Sequence, residues 1–108
     1  MYKPERIRSL LFRISTEFII EHWTGNSRVS ATRIEISRDL KRAIIYVNIS
    51  PESEENRAMR ELAGLRTKLY NEVAGKLKTR FTPRFEFRVD KGEKNRGKIE
   101  ELLAKIKK

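Results

Sequence analysis

Apolar residues recur along the first part of the chain at the spacing of a helix. Ile7, Leu10, Leu11, Ile14 and Phe18 form one stripe, while Arg6, Arg8 and Arg13 lie on other faces. Ile19, Ile20 and Trp23 widen the apolar surface near its end. Pro4 suits a first helical turn and Glu5 complements the helix dipole there. Thr24, Gly25, Asn26 and Ser27 then stop the pattern, so a helix is predicted from residue 4 to about 23. Residues 28 to 50 change to a period of two and predict a β-hairpin. Ile34 and Ile36 alternate with Arg33, Glu35 and Ser37. After Arg38, Asp39, Leu40 and Lys41 comes a β-branched run. Its Ile45, Val47 and Ile49 share one face, and Ile44, Tyr46 and Asn48 share the other. One face is expected to pack on helices and the other to stay partly open.

Ser50, Pro51 and Glu52 carry the marks of a helix start: a capping hydroxyl, proline at the first turn, then acids. Leu62, Leu65, Leu69, Val73 and Leu77 continue a helical stripe to about Arg80, interrupted by Gly64 and Gly75. A helix of that length laid on a small sheet calls for a bend, and glycine is a permissive place for one. Thr82 and Pro83 end it. Phe85, Phe87 and Val89 alternate with Arg84, Glu86 and Arg88 as a third strand. Residues 90–97 read as a polar loop. Ile99, Leu102, Leu103 and Ile106 mark a short C-terminal helix over about 98–108. The order helix, strand, strand, helix, strand, helix predicts one α+β two-layer domain spanning 1–108.

Charge narrows the class of partner. Lys and Arg total 25 against 15 for Asp and Glu, giving +10 and a pI near 10.2. A polyanion gains Coulomb energy and releases counterions on such a surface, so nucleic acid comes first and an anionic membrane second. The excess is concentrated. Arg66, Lys68, Lys76, Lys78 and Arg80 run along the second half of the long helix, and Arg84 follows the proline turn. Arg38, Lys41 and Arg42 bracket the hairpin turn. Lys76 and Arg80, four apart, would share a helical face. The eight arginines and lysines Arg66, Lys68, Lys76, Lys78, Arg80, Arg84, Arg38 and Arg42 are the candidate phosphate contacts. The plainer reading is a solvated helix face with Glu61 and Glu72 as local partners. Phe85 and Phe87 fit the core, which favours backbone and shape recognition over reading of splayed bases.

Catalytic chemistry is weakly represented. The absence of cysteine removes disulfides, thiolate catalysis and Cys-based zinc sites, and fits a reducing cytoplasm. His22, the single histidine, reads as a cap or packing residue beside Trp23. Glu54, Glu55, Glu100 and Glu101 fall on solvated helical faces. No P-loop, G-x-G-x-x-G or G-x-S-x-G is present. No metal, no cofactor and no small-molecule substrate is therefore expected. The N-terminus lacks the apolar core of a secretory signal, and no run approaches the length of a membrane span. The chain is expected to be a cytoplasmic monomer with no membrane role, because its apolar stripes are committed to a core.

The run Arg33, Ile34, Glu35, Ile36, Ser37, Arg38, Asp39, Leu40, followed by Ala43, Ile44, Ile45, Tyr46 and Val47, resembles the first hairpin of bacterial ribosome-binding factor A. That hairpin typically reads V-x-V-S-x-D-L-x-x-A-x-V-Y-V. The stretch Lys76 to Phe87 is similar to the family's basic helix end, x-Pro turn and final strand. The tail from Asp90 through Gly97, Lys98 and Ile99 to Leu102 and Leu103 is also similar. The resemblance spans nearly the whole chain. It implies a type II KH-like fold and a non-enzymatic, cold-shock-associated maturation factor. Such a factor acts on the 16S rRNA of the 30S small ribosomal subunit, near its ends and decoding region. The family carries an Ala-x-Gly kink between its two middle helices. Here Ala63-Gly64 and Ala74-Gly75 are the nearest counterparts, while a gap-free register from Pro83 puts Leu65, Arg66 and Thr67 at that place. The bend is thus left to Gly64, Gly75 or neither. The loop from Thr24 to Arg28 is shorter than the family's Asp-Pro-Arg-Leu segment. A generic KH-like RNA-binding or protein-interaction module outside the ribosome is the alternative function.

Overall fold

The computed structural model describes residues 4–77 and 82–92. The first helix, α1 (Pro4–His22), leads into an antiparallel hairpin, β1 (Arg28–Ile36) and β2 (Arg42–Ser50). A single 3-10 turn (Glu52–Glu54) then opens α2 (Glu55–Gly64), which is followed by α3 (Arg66–Lys76) and β3 (Arg84–Val89). The sheet order is β1-β2-β3, with β3 parallel to β2. A parallel neighbour needs a crossover, and the α2–α3 pair supplies it. The α+β class, the order of elements through β3 and the three strands match the sequence expectation.

The period-two pattern sorts the sheet into two faces. Ile34, Ala43, Ile45, Val47, Ile49, Phe85 and Phe87 are buried on the inner face. They pack against Ile7, Leu11, Ile14, Phe18 and Ile19 of α1, Ala58 and Leu62 of α2, and Leu69 and Val73 of α3. The outer face carries Arg33, Glu35, Arg42, Asn48, Arg84 and Arg88, all exposed. The hydrophobic effect therefore fixes which side of each strand meets the helices. The helical stripe of α1 does the same for its rotation.

Three boundaries differ from expectation, at Ser50, at the end of α3 and at Asp90, while the bend between the middle helices falls where the gap-free register from Pro83 puts it. Ser50 does not cap a helix: it is the last residue of β2, paired with Arg28, and the 3-10 turn starts from Pro51 with no side-chain cap. Its backbone is committed to the strand before the helix begins. The expected bend lies at Leu65, the first of the three residues that the gap-free register places at the kink, and not at Gly75; its φ of −92° and ψ of −3° lie in the bridge region. Helix α3 stops at Lys76, because Leu77 is extended at ψ 112° while keeping its buried place under the sheet. The shared face expected of Lys76 and Arg80 rests on Arg80, which lies outside the described residues, as do Lys78 and the predicted helix over 98–108. Asp90, read as the start of a loop, is buried, and Lys91 and Gly92 are helical. Its carboxylate accepts from the Thr32 hydroxyl at 2.6 Å and the Gly92 amide at 3.0 Å. Thr32 is the residue that a register shift between Ala31 and Arg33 leaves out of the ladder. Asp90 thereby ties the end of β3 to the bulge in β1.

Two glycines separate packing from propensity. A Cβ on Gly25 would lie 2.5 Å from the Trp23 ring and 2.8 Å from the Glu61 carboxylate. The ring cannot easily yield, since its Nε1 donates to the Ser27 carbonyl at 2.8 Å. Gly25→Ala is expected to cost about 1–3 kcal/mol through overpacking. A Cβ on Gly64 meets nothing within 4 Å, and its φ is not positive. Gly64→Ala should therefore stabilise by about 0.5–1 kcal/mol without removing the bend. Thermal melts of the two variants check both signs.

The hairpin turn is held by side chains. Leu40 takes a left-handed φ of 60°. Asp39 accepts from the Ser37 hydroxyl at 2.6 Å and the Lys41 amide at 3.0 Å, and the Arg42 amide donates to Ser37 Oγ at 3.0 Å. The Ser37 bond, then the Lys41 amide, holds the Asp39 carboxyl below its ordinary value of 3.8. A depressed carboxyl contributes stability that is complete above 3.8 and is lost as pH falls through the lower folded value. Asp39→Asn cannot titrate. It should lose less melting temperature than the native chain between about pH 7 and about pH 2.5.

Candidate nucleic-acid interface

The parallel register of β3 creates the site. Arg84 pairs with Arg42 at the start of the two strands, and its amide donates to the Lys41 carbonyl at 2.9 Å. The break at Leu65 sets Ala63, Arg66, Thr67 and Tyr70 opposite that sheet end. Between them runs an open groove of about 1130 Å³. Lys41, Arg42, Arg66 and Arg84 line it, and Glu86 is its one acidic residue among those described. Glu86 is already engaged, with Arg42 at 3.5 Å and Arg88 at 3.3 Å. The groove is therefore strongly positive, with low-dielectric walls of Ala43, Ala63 and Phe85 that sharpen its field.

Arg66 is oriented at the bend. Its Nε donates to the Ala63 carbonyl at 3.0 Å, near the C-terminus of α2, where a cation is favoured. That bond leaves the two terminal amino groups of an exposed guanidinium for an outside acceptor. Fixing Nε lowers the ordering cost of a phosphate contact. Arg84 is exposed and anchored by its backbone to the hairpin turn.

Three of the eight sequence candidates thus meet: Arg42, Arg66 and Arg84. Lys68 and Lys76 are exposed on α3 but do not line the groove. Lys68 is two residues from Arg66, about 200° around the helix, and Lys76 is about 15 Å further along it. Arg38 is exposed at the hairpin turn, beyond the groove. Glu61 pairs with Arg57 at 3.7 Å, and Glu72 faces His22 at 4.0 Å. Neither therefore serves the basic residues of α3 as the plainer reading supposed.

Tyr70 and Lys41 are the aromatic and the further cation of the groove that the candidates did not include. Tyr70 is 38% exposed and directly follows the buried Leu69. An aromatic one step off an apolar stripe is the signal that could have found it. Phe85 and Phe87 are buried, as expected. His22 is a packing residue: its ring lies 4.5 Å from that of Phe18, centroid to centroid. With Glu21 and Glu72 it offers three ligand atoms within 4.8 Å, the one such group among the described residues. A second, polar pocket of about 170 Å³ lies between the loop after α1 and α2, bordered by Glu54, Arg57 and Glu61. No helix among the described residues is long and apolar enough to cross a membrane.

Comparison with known proteins agrees with this architecture. Residues 3–103 match the family described as ribosome-binding factor A. A protein of that name from Caldanaerobacter subterraneus is 30% identical over 114 aligned residues, covering 99% of this chain and 91% of the relative. One from Rhodopirellula baltica is 32% identical over 79 residues, 72% of this chain, and there the match spans only 58% of the relative's length. The crystal structure of ribosome-binding factor A from Thermus thermophilus superposes with a TM-score of 0.71 at 24% identity, over 82% of this chain and 97% of that one. Coordinates of the Thermus factor fitted into the cryo-EM map of a 30S complex superpose with a TM-score of 0.66, at 24% identity, over 77% of this chain and 90% of that one.

Proposed function

The chain belongs to the ribosome-binding factor A family, and from that premise we propose that it is a non-catalytic assembly factor that binds 16S rRNA on the immature 30S subunit. The groove between the α2–α3 bend and the β2–β3 end is its phosphate-binding surface, with Arg42, Arg66 and Arg84 as the principal contacts and Lys41 beside them. Arg38, Lys68, Lys76, Lys78 and Arg80 add long-range attraction. The observation that carries this reading is the convergence of four cations from three separate elements around one engaged acid. Guanidinium and ammonium groups, rather than a paired acid and base, favour binding over catalysis.

Phosphate contacts position an RNA without reading its sequence, and a folded rRNA supplies its own shape. The 30S complex of the Thermus factor supports the small subunit as target. Action before subunit joining would bear on pre-16S processing and on growth in the cold, where RNA folding is slow. The factor works in the cytoplasm as a monomer. Competition binding tests the reading. Preference for immature 30S particles over 70S ribosomes and over naked 16S rRNA supports it. Equal affinity for all three would leave a generic RNA-binding module instead.

A further inference from the structure

We propose that the outer face of the sheet is a second RNA contact, on which an unpaired base stacks against the Arg33–Tyr46 pair. The inference rests on the reading that the groove binds RNA, and extends it to a surface with different chemistry. The strand register places three residues in a row across the sheet: Arg33 of β1, Tyr46 of β2 and Arg88 of β3. The Arg33 guanidinium carbon lies 3.6 Å from the Tyr46 ring centroid, so it sits over the ring face.

It is held there from two sides. Glu35 accepts from Arg33 at 2.6 Å and from the Tyr46 hydroxyl at 3.1 Å, while Asp90 lies 3.5 Å from Arg33 Nε. These partners keep the Glu35 carboxyl below its usual range and the guanidinium charged. The Arg33 side chain is nevertheless 49% exposed. A planar cation backed by an aromatic ring and open to solvent is a platform for a nucleobase. Its geometry is set before binding, so little side-chain entropy is lost.

Charge and continuity favour RNA as the occupant. Arg33, Arg42, Arg84 and Arg88 share this face with Glu35 and Glu86, and the buried Asp90 reaches Arg33 from its edge, so arginines still outnumber the acids four to three. Arg42 and Arg84 belong by register to the outer face and also line the groove. A strand leaving the groove past them meets Tyr46 four residues along β2, about 13 Å away. Arg33 and Arg88 are exposed at the two ends of this row and Tyr46 between them is half-buried.

The test uses the full chain with hexaadenylate RNA carrying one 2-aminopurine, read by amide chemical shifts and by fluorescence quenching. Shifts at Arg33, Tyr46 and Arg88, beyond those in the groove, are expected. Arg33→Ala should weaken hexamer binding about 5- to 30-fold and abolish the quenching, with an unchanged melting temperature. Arg33→Lys keeps the charge but loses the plane, and should bind nearly as poorly as Arg33→Ala. Arg66→Glu separates this site from the groove: its groove shifts vanish while those around Tyr46 persist. Shifts confined to the groove in the native chain, or native affinity in Arg33→Lys, would overturn the stacking site and leave the groove reading intact. No response to the hexamer on either surface would overturn both. Shifts at Tyr46 with a ribosomal protein but not with the hexamer would assign the face to protein.

Discussion

Replacing Arg66 and Arg84 together by glutamate is expected to lower affinity for 30S particles by roughly 100-fold or more. Each loses a charge-assisted hydrogen bond to phosphate, about 1.5–3 kcal/mol, and each adds a repelling charge. Every 1.4 kcal/mol is about tenfold, so two contacts alone approach this figure. The dependence on salt should change as well. With about two fewer phosphates neutralised, the slope of log K against log salt should flatten by roughly 1.5–2. Both residues are exposed. Neither contributes an apolar group to the core, so circular dichroism and melting temperature should stay near native. A change of slope without a change of fold distinguishes phosphate contact from indirect damage. An affinity within twofold of native at moderate salt would remove the groove from the account.

The opposite dissociation is expected for Leu62→Ala. Leu62 is fully buried in α2, and its carbonyl accepts the Leu65 amide at 2.9 Å in the turn that makes the bend. Truncation leaves a cavity beneath the element that carries the groove. The expected loss is about 2–5 kcal/mol. In a domain of this size that corresponds to a fall of roughly 10–30 °C in melting temperature. At a temperature where the variant remains folded, Arg66 and Arg84 are intact and 30S binding should persist. Binding lost in parallel with helical signal would fit this view. Strong loss of binding in a fully folded variant would make Leu62 part of the interface, which its burial contradicts.

Much of the architecture is legible because its causes are local. The stripe through Leu11, Ile14 and Phe18 can bury itself only as a helix face. The alternation through Ile45, Val47 and Ile49 can do so only as a strand. What escaped depends on tertiary partners. The bend itself was expected, and the register from Pro83 placed it at Leu65; residue type did not, since Leu65 is neither glycine nor proline and its neighbour Gly64 uses no left-handed conformation. Leu62 and Leu69, on either side of the bend, are both fully buried in the one core. Ser50 carries a capping side chain but spends its backbone on pairing with Arg28. The basic residues were visible as a sequence cluster, whereas the groove is assembled by a parallel register. That register puts Arg84 beside Arg42, though 42 positions separate them. Lys68 and Lys76 looked equivalent to Arg66 in the sequence. The rotation of α3, set by buried Leu69 and Val73, turns Lys68 away, and distance along the helix removes Lys76.

The groove's role in contacting rRNA is tested most directly by ultraviolet cross-linking of the native chain on immature 30S particles, with RNA adducts located by peptide mass spectrometry. Adducts on the segments around Arg66 to Tyr70 and around Arg84 are expected, since these line one groove. Adducts found only on α1, on the far side of its packing with the sheet, would contradict it.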